Sequence, residues 1–185
     1  MLPEEFSDNK ITKSNKKKEL LSFIRMIVIA FLIALFINNF ILINATVPSG
    51  SMEKTIMTGS RMIGLRLTYM FGQPERGDIV IFQYPDDESQ NFVKRVIGLP
   101  GETVEIRDGL VYIDGSEVPL NEPYLKETPI GSYGPYEVPK DCYFMMGDNR
   151  NDSLDSRFWK NKYVSDDRIL GKALLVYWPK PSVLH

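Results

Sequence analysis

The long apolar run over residues 26–43 constrains this chain more than any other feature. Only Asn38 and Asn39 interrupt its eighteen residues. As a helix that rises about 1.5 Å per residue it spans about 27 Å, close to the hydrocarbon thickness of a bilayer. A buried core helix and a cleaved signal peptide are the alternatives, but the run exceeds the apolar region of a typical signal peptide. We therefore predict a retained transmembrane signal-anchor helix over residues 23–44.

Charge on the two sides of this run predicts its orientation. Residues 1–25 carry six Lys/Arg and four Asp/Glu, whereas residues 44–185 carry sixteen and twenty. Because basic residues favour the cytoplasmic side, residues 1–22 are predicted to be a disordered cytoplasmic tail and residues 45–185 an extracytoplasmic domain. The net charge of -2, with no basic stripe, excludes nucleic acid as an expected partner.

Beyond Ala45 the pattern is that of a mostly β, antiparallel domain. Short alternating or β-branched runs are bounded by Gly, Pro and Asp, and no helix is persuasive. Asp108-Gly109 is a strong hairpin signal, and five prolines between residues 119 and 139 predict a long irregular loop. The candidate strands are residues 61–67, 78–83, 91–97, 103–107, 110–113, 142–146 and 169–178.

The counts of cysteine and histidine exclude several chemistries. Cys142 is the single cysteine, so neither an internal disulfide nor a thiolate metal cluster can form. Since the single histidine is His185, a histidine-based triad would have to use a terminal residue that is expected to fray, and a zinc site with several histidines cannot be built. We expect no metal and no cofactor.

Residues 47–52 place two hydroxyls, Ser49 and Ser51, around Gly50. Such a stretch is commonly an ordinary turn, here one that would join an anchor to a domain. The alternative is that Ser51 is a nucleophile, which requires a base within about 2.6–3.2 Å.

Lys94 is the best-placed base. On an extended strand it shares a face with Phe92 and Val96, and burial among apolar groups lowers the pKa of a lysine. If the strand lies at a sheet edge, the amine instead reaches water. Since no usable histidine exists, a desolvated lysine is the remaining standard partner for a serine.

Residues 147–157 are dense in acids and amides, which suggests calcium. The spacing fails the test for an EF-hand loop that begins at Asp148, because Ser153 stands where glycine is required. An ion-pair network that braces the loop fits better. Its acids would be Asp148 or Asp155, and its cations Arg150 or Arg157.

Four motifs in one order behind one anchor resemble the bacterial type I signal peptidases, membrane-anchored Ser/Lys endopeptidases. The motifs are Pro48-Ser49-Gly50-Ser51-Met52, Arg76-Gly77-Asp78-Ile79-Val80-Ile81-Phe82, Lys94-Arg95-Val96-Ile97-Gly98-Leu99-Pro100-Gly101-Glu102 and Gly147-Asp148-Asn149-Arg150-Asn151-Asp152-Ser153-Leu154-Asp155-Ser156-Arg157. One anchor and a short outer domain look like the compact Gram-positive form. Lys54 departs from the family, which usually has proline there.

The resemblance implies a β-barrel-like peptidase fold and a role for each matching position. It implies that Ser51 is the nucleophile and Lys94 its general base. It also implies that the Ser51 N–H and the Ser49 hydroxyl donate to the oxyanion and that Ser153 orients Lys94. The residues that it implies brace the site are Asp155, Arg157 and Asp148. The implied reaction removes signal peptides of the Ala-x-Ala type from exported preproteins at the bacterial cell membrane. The implied partners are these preproteins, the lipid bilayer and the secretion translocon.

A shallow apolar pocket is enough to accept the side chain of alanine and to exclude larger side chains of a substrate. Its expected walls, for which core packing is the alternative, are Val47, Pro48, Met52, Phe92 and Val93. The apolar stretch over residues 65–71 is expected either to enter the outer leaflet or to join the core.

Two other functions are alternatives to this one. A self-cleaving repressor-type Ser/Lys peptidase would carry a DNA-binding module instead of an anchor. An anchored β-domain that only binds exported chains would retain Ser51 and Lys94 for structure alone.

Overall fold

The computed structural model describes residues 5–185, with side chains from residue 18 onward. The chain divides into a helical unit that ends at Ile41 and a β unit, Leu42–His185. Helix α1 covers Glu5–Phe36 and continues as a π-helix over Ile37–Ile41. Within the described residues, one segment is long and apolar enough to cross a bilayer, the 24 residues Lys18–Ile41. Its side chains are exposed, as those of a membrane helix are and those of a core helix are not.

Both ends of the predicted anchor differ from the structure. Of the tail predicted to be disordered, residues 1–4 lie outside the described part, and the chain is helical from Glu5. At the other end, Leu42–Thr46 forms a strand in which Ile43 is buried. The apolar run therefore continues from the helix into a core strand, and hydropathy alone does not separate the two.

The β unit consists of short strands joined by turns. The strands are β1 (Leu42–Thr46), β2 (Arg61–Leu65), β3 (Ile79–Tyr84), β4 (Asp87–Gly98), β5 (Thr103–Arg107), β6 (Leu110–Ile113), β7 (Tyr133–Glu137), β8 (Cys142–Met146), β9 (Val164–Ser165), β10 (Ile169–Trp178) and β11 (Ser182–Val183). Single turns of 3-10 helix cover Arg66–Met70, Arg150–Asp152 and Asp166–Arg168.

The strands pair in two antiparallel sheets. The larger has the order β1-β2-β10-β3-β4-β8-β9, with β11 also on β10, and the smaller has the order β6-β5-β7. The predicted antiparallel β domain is thus confirmed. Asp108 and Gly109 both have positive φ, of 49° and 84°, as the two-residue turn between β5 and β6 requires.

The predicted proline-rich loop is wrong in one part, since β7 lies within it. Pro135 is tolerated there because β7 is the edge strand of its sheet. The predicted strand over residues 61–67 also ends early, as Arg66 begins a 3-10 turn.

Two segments carry the site. Residues 47–60 form a turn between β1 and β2, closed by hydrogen bonds from Val47 N to Ser60 O (2.9 Å) and from Gly59 N to Val47 O (2.8 Å). Central strand β4 lies between β3 and β8, and Val80 and Met146 are the partners of Lys94 and Arg95. The inner half of β4 is buried on both faces, so neither cation faces open water.

Candidate active site

Ser51 and Lys94 meet inside the β unit. Lys94 Nζ lies 2.5 Å from Ser51 Oγ, and only 3% of the lysine and 6% of the serine are exposed. Burial lowers the pKa of Lys94 from 10.5 to about 8, although the charges of Asp155 and Asp148 oppose that shift. A fraction of the amine is therefore neutral near pH 7, and a neutral amine can accept a proton from the serine hydroxyl.

Ser49 stands beside the pair, with its Oγ 3.3 Å from Ser51 Oγ. Among the described residues no protein acceptor takes the Ser51 N–H. One hydroxyl and one backbone N–H that no protein group accepts thus lie beside Ser51 Oγ within the described residues.

A cleft of about 440 Å³ opens over these groups. Its lining residues are Thr46, Val47, Pro48, Ser49, Gly50, Ser51, Gln90, Asn91, Phe92, Val93, Lys94, Asp152 and Leu154. Four of the five predicted wall residues line it. Met52 does not, because its side chain is fully buried in the core with Ile56 and Met62.

The loop after β8 braces the site through buried ion pairs. Arg157 Nε donates to Asp155 Oδ1 at 2.8 Å, and Gly147 N donates to Asp155 Oδ2 at 3.0 Å. Asp155 is fully buried, so it lies within the β unit with its charge compensated. The predicted pairing of Asp155 with Arg157 is present.

Asp148 has a different partner from the two that its own loop suggested. Arg95, on the opposite face of β4 from Lys94, donates from Nε and Nη2 to Asp148 at 2.9 and 2.7 Å. Arg150 instead pairs with Glu122, far along the chain. Both corrections have one cause, because spacing within a loop says nothing about cations and acids that other elements bring to it.

Residues 20–178 match the family described as signal peptidase, peptidase S26. That match covers most of the chain. The chain belongs to the signal peptidase family, peptidase S26. A probable signal peptidase I-2 from Synechocystis sp. is 37% identical over 188 residues, which cover 96% of this chain and 84% of that protein.

Two further S26 peptidases are similar to this one. Signal peptidase I P from Bacillus subtilis subsp. natto is 40% identical over 174 residues, 89% of this chain and 91% of that protein. A solved signal peptidase I from Enterococcus faecalis V583 is 37% identical and covers 54% of this chain and 96% of its own, with a TM-score of 0.46. The family and the hydrolase class predicted from the motifs are confirmed.

Ser153 makes no contact of the kind predicted in this S26 peptidase. Its Oγ is buried but has no hydrogen-bond partner among the described residues, so the expected bond to the Lys94 amine is absent. The hydroxyl instead packs close to Gly147, where an added Cβ would come within 2.2 Å of it. A side chain at residue 147 would therefore displace Ser153.

Three residues of the site were given no role from the sequence, although Asn149 lies inside one of the four motifs. Thr55 Oγ1 donates to Asp148 Oδ2 at 2.5 Å, which ties the turn that carries Ser51 to the loop after β8. Asn149 contacts the backbone on both sides of Ser51, and Glu122 pairs with Arg150. Amides and hydroxyls of this kind are common in any loop, and only the fold brings them to the site.

The stretch over residues 65–71 is partly packed against the core and partly exposed. Tyr69 packs against the core, and its hydroxyl donates to Asp78 Oδ2 at 2.8 Å. Met70 and Phe71 are 66% and 90% exposed. Within this stretch only the last two residues are exposed.

Proposed function

We propose that this S26 peptidase is a membrane-bound serine endopeptidase that removes N-terminal signal peptides from exported preproteins after small residues of the Ala-x-Ala type. The observation that carries the proposal is the 2.5 Å contact between Lys94 Nζ and Ser51 Oγ at the base of an open cleft. The names of the relatives, signal peptidase I, support the same substrate class.

Acylation begins with neutral Lys94. The amine accepts the Ser51 hydroxyl proton, and Ser51 Oγ attacks the scissile carbonyl carbon. The carbonyl oxygen becomes an oxyanion, which accepts hydrogen bonds from the Ser51 N–H and the Ser49 hydroxyl. The Lys94 ammonium then gives its proton to the leaving amine nitrogen, the C–N bond breaks, and the signal peptide stays on Ser51 as an ester.

Deacylation repeats these steps with water. Lys94, neutral again, accepts a proton from a water molecule that attacks the ester carbonyl. The same two donors hold the second oxyanion, and the ammonium returns its proton to Ser51 Oγ as the ester bond breaks. Lys94 acts as base and then as acid in both halves, so no histidine is needed.

Substrate choice follows from the walls of the cleft. Val47, Pro48, Phe92 and Val93 present apolar side chains next to the two reacting groups. A methyl group gains apolar contact in such a shallow site, whereas a bulky side chain needs space that the buried core behind Val47 does not provide. The walls that select alanine are also those that desolvate Lys94.

The proposal places the chain in the bacterial cell membrane as a single-pass protein with a cytoplasmic N-terminus. The apolar span Lys18–Ile41 and the basic residues before it support this orientation. The preprotein, the bilayer and the secretion translocon are the proposed partners. The cleft then acts on signal peptides held in the same bilayer as the anchor.

The test is cleavage of a purified Ala-x-Ala preprotein by the full chain in detergent micelles. Wild type is compared with Ser51→Ala and Lys94→Ala, and exposed Ser89→Ala and Lys140→Ala serve as matched controls. We expect wild-type cleavage in both controls and a loss of at least about a thousandfold in kcat for each dyad variant. Full activity in either dyad variant would overturn the proposal, as would cleavage after leucine as fast as after alanine.

A further inference from the structure

Asn149 holds both peptide groups that flank the nucleophile. Its side-chain Nδ2 donates to Gly50 O at 2.9 Å, and its backbone N–H donates to Ser51 O at 3.0 Å. Only 1% of the residue is exposed, and its Oδ1 has no hydrogen-bond partner among the described residues. Within the described part of the chain, the bond to Gly50 is thus the one hydrogen bond that the polar end of this side chain makes.

The carbonyl of Gly50 and the N–H of Ser51 belong to the same peptide group. In a planar trans peptide these two bonds point in opposite directions, so a group that holds the oxygen also aims the N–H. Gly50 O accepts from Asn149 Nδ2 and from Glu53 N, the latter at 3.0 Å. The Ser51 N–H, at the opposite edge of the same peptide group, remains free of protein acceptors within residues 5–185.

We propose that Asn149 is a positioning residue that aims the Ser51 N–H at the oxyanion and leaves the proton transfer to Lys94 untouched. A free peptide group beside a glycine can rotate, because glycine lacks the Cβ that restricts its neighbours. The side-chain amide removes that freedom. The inference rests on the proposed function, in which the Ser51 N–H is an oxyanion donor.

Asn149 is itself held rigidly enough for this task. Its neighbour Asp148 accepts two hydrogen bonds from Arg95 and one from Thr55. On the other side, Asp152 N donates to Asn149 O at 3.0 Å. The amide therefore extends from a backbone that a buried ion pair fixes to β4.

The chemistry requires an amide at this position. Aspartate has the same shape, but it presents a carboxylate oxygen to Gly50 O, and two acceptors repel each other. Alanine removes the donor and leaves the backbone bond to Ser51 O in place. Asn149→Asp and Asn149→Ala thus remove the same hydrogen bond in two ways, one with and one without a new charge.

The first test is steady-state cleavage by the full chain in micelles, with Asn151→Asp as matched control. Asn151 lies on the same loop, and its amide binds the 127–130 segment away from Ser51. We expect both Asn149 variants to lose about 10- to 100-fold in kcat with KM changed less than threefold, and we expect Asn149→Ala, which adds no charge, to leave the pH midpoint unchanged. Asn151→Asp stays within threefold of wild type.

The second test compares two peptides of one sequence. A peptide aldehyde captures Ser51 as a tetrahedral adduct, whereas the matching peptide alcohol binds without bond formation. We expect Asn149→Ala to weaken the aldehyde at least tenfold and the alcohol less than threefold. Equal weakening of both probes, a loss confined to KM, or a pH midpoint that shifts in Asn149→Ala overturns the role of Asn149.

The outcomes separate this inference from the function on which it rests. If Ser51→Ala cleaves as well as wild type, the proposed function fails, whatever Asn149 does. If Ser51→Ala is inactive and both Asn149 variants match wild type in kcat and in aldehyde affinity, only the inference fails. Thermal unfolding of each variant shows whether a loss of kcat comes from a folded protein.

Discussion

Lys94 Nζ lies 2.5 Å from Ser51 Oγ, although 43 residues separate them in the chain. The turn after β1 supplies the serine and the buried half of β4 supplies the lysine. The contact places an amine with a lowered pKa against a hydroxyl that it can deprotonate.

The pH dependence of cleavage should follow this amine. Because the pKa of Lys94 is about 8, kcat/KM should be low at pH 6 and rise with pH to a plateau above about pH 9. Lys94→Arg keeps the charge but cannot lose its proton in this range, so it should be inactive at every pH. A wild-type rate that is independent of pH from 6 to 9 would contradict the role of Lys94.

Lys94→Met should stabilise the fold at neutral pH. The folded chain holds the pKa of Lys94 near 8, below the 10.5 of an exposed lysine, which costs about 3 kcal/mol when the amine is charged. Between pH 8 and 10.5 the unfolded chain binds more protons, so wild-type stability rises with pH. The gain from methionine should be greatest below pH 8 and fade by about pH 10.5. Denaturant unfolding of wild type and Lys94→Met across that pH range measures this gain in stability. A gain that does not change with pH would argue against a lowered pKa of Lys94.

Asp148→Asn should destabilise the chain more than loss of an exposed ion pair. It leaves Arg95, whose side chain is 3% exposed, without its carboxylate, and breaking a buried pair costs about 3–5 kcal/mol. Glu88→Gln removes the exposed partner of Arg168 and should cost less than about 1 kcal/mol. If both variants lost the same free energy of unfolding relative to wild type, the buried pair would contribute no more to stability than the exposed one.

Lys54 stands where the family resemblance leads us to expect proline. Its φ is 80°, which proline cannot adopt, and its Nζ donates to Pro123 O and Leu125 O at 3.2 and 2.8 Å. Lys54→Pro should therefore cost more than about 1 kcal/mol of stability. Lys54→Gly loses the same two hydrogen bonds but accepts the backbone angle, so it is the matched control. The midpoint of thermal unfolding should be lower for Lys54→Pro than for Lys54→Gly. The reverse order would mean that the turn rearranges to accept proline.

Much of the fold was readable from local pattern. The Asp108-Gly109 hairpin and the strands β8 and β10 have the bounds that alternation and turn residues predicted. The boundary near residue 42 was not readable, since the apolar character that suits a membrane helix also suits the core strand β1. Strand β7 was hidden by Pro135, which an edge position tolerates.

Only part of the site, as of the fold, could be predicted from the sequence. The absence of a usable histidine and the motifs around Ser51 and Lys94 pointed to the reacting pair. The partners of Asp148 and Arg150 were mistaken, because both are reached across the fold. Ser153 was expected to bond Lys94, and its hydroxyl packs at Gly147 instead.

The sequence by itself determined the long apolar helix, the antiparallel β character and the family, and it predicted the pair of reacting residues, because periodicity, composition and motif are local properties. Only the tertiary structure decided that the pKa of Lys94 is lowered, that Met52 packs in the core and does not line the cleft, and that Asn149 donates a hydrogen bond to Gly50 O. Desolvation and hydrogen-bond geometry depend on which atoms meet in space, and residues far apart in the chain supply those atoms.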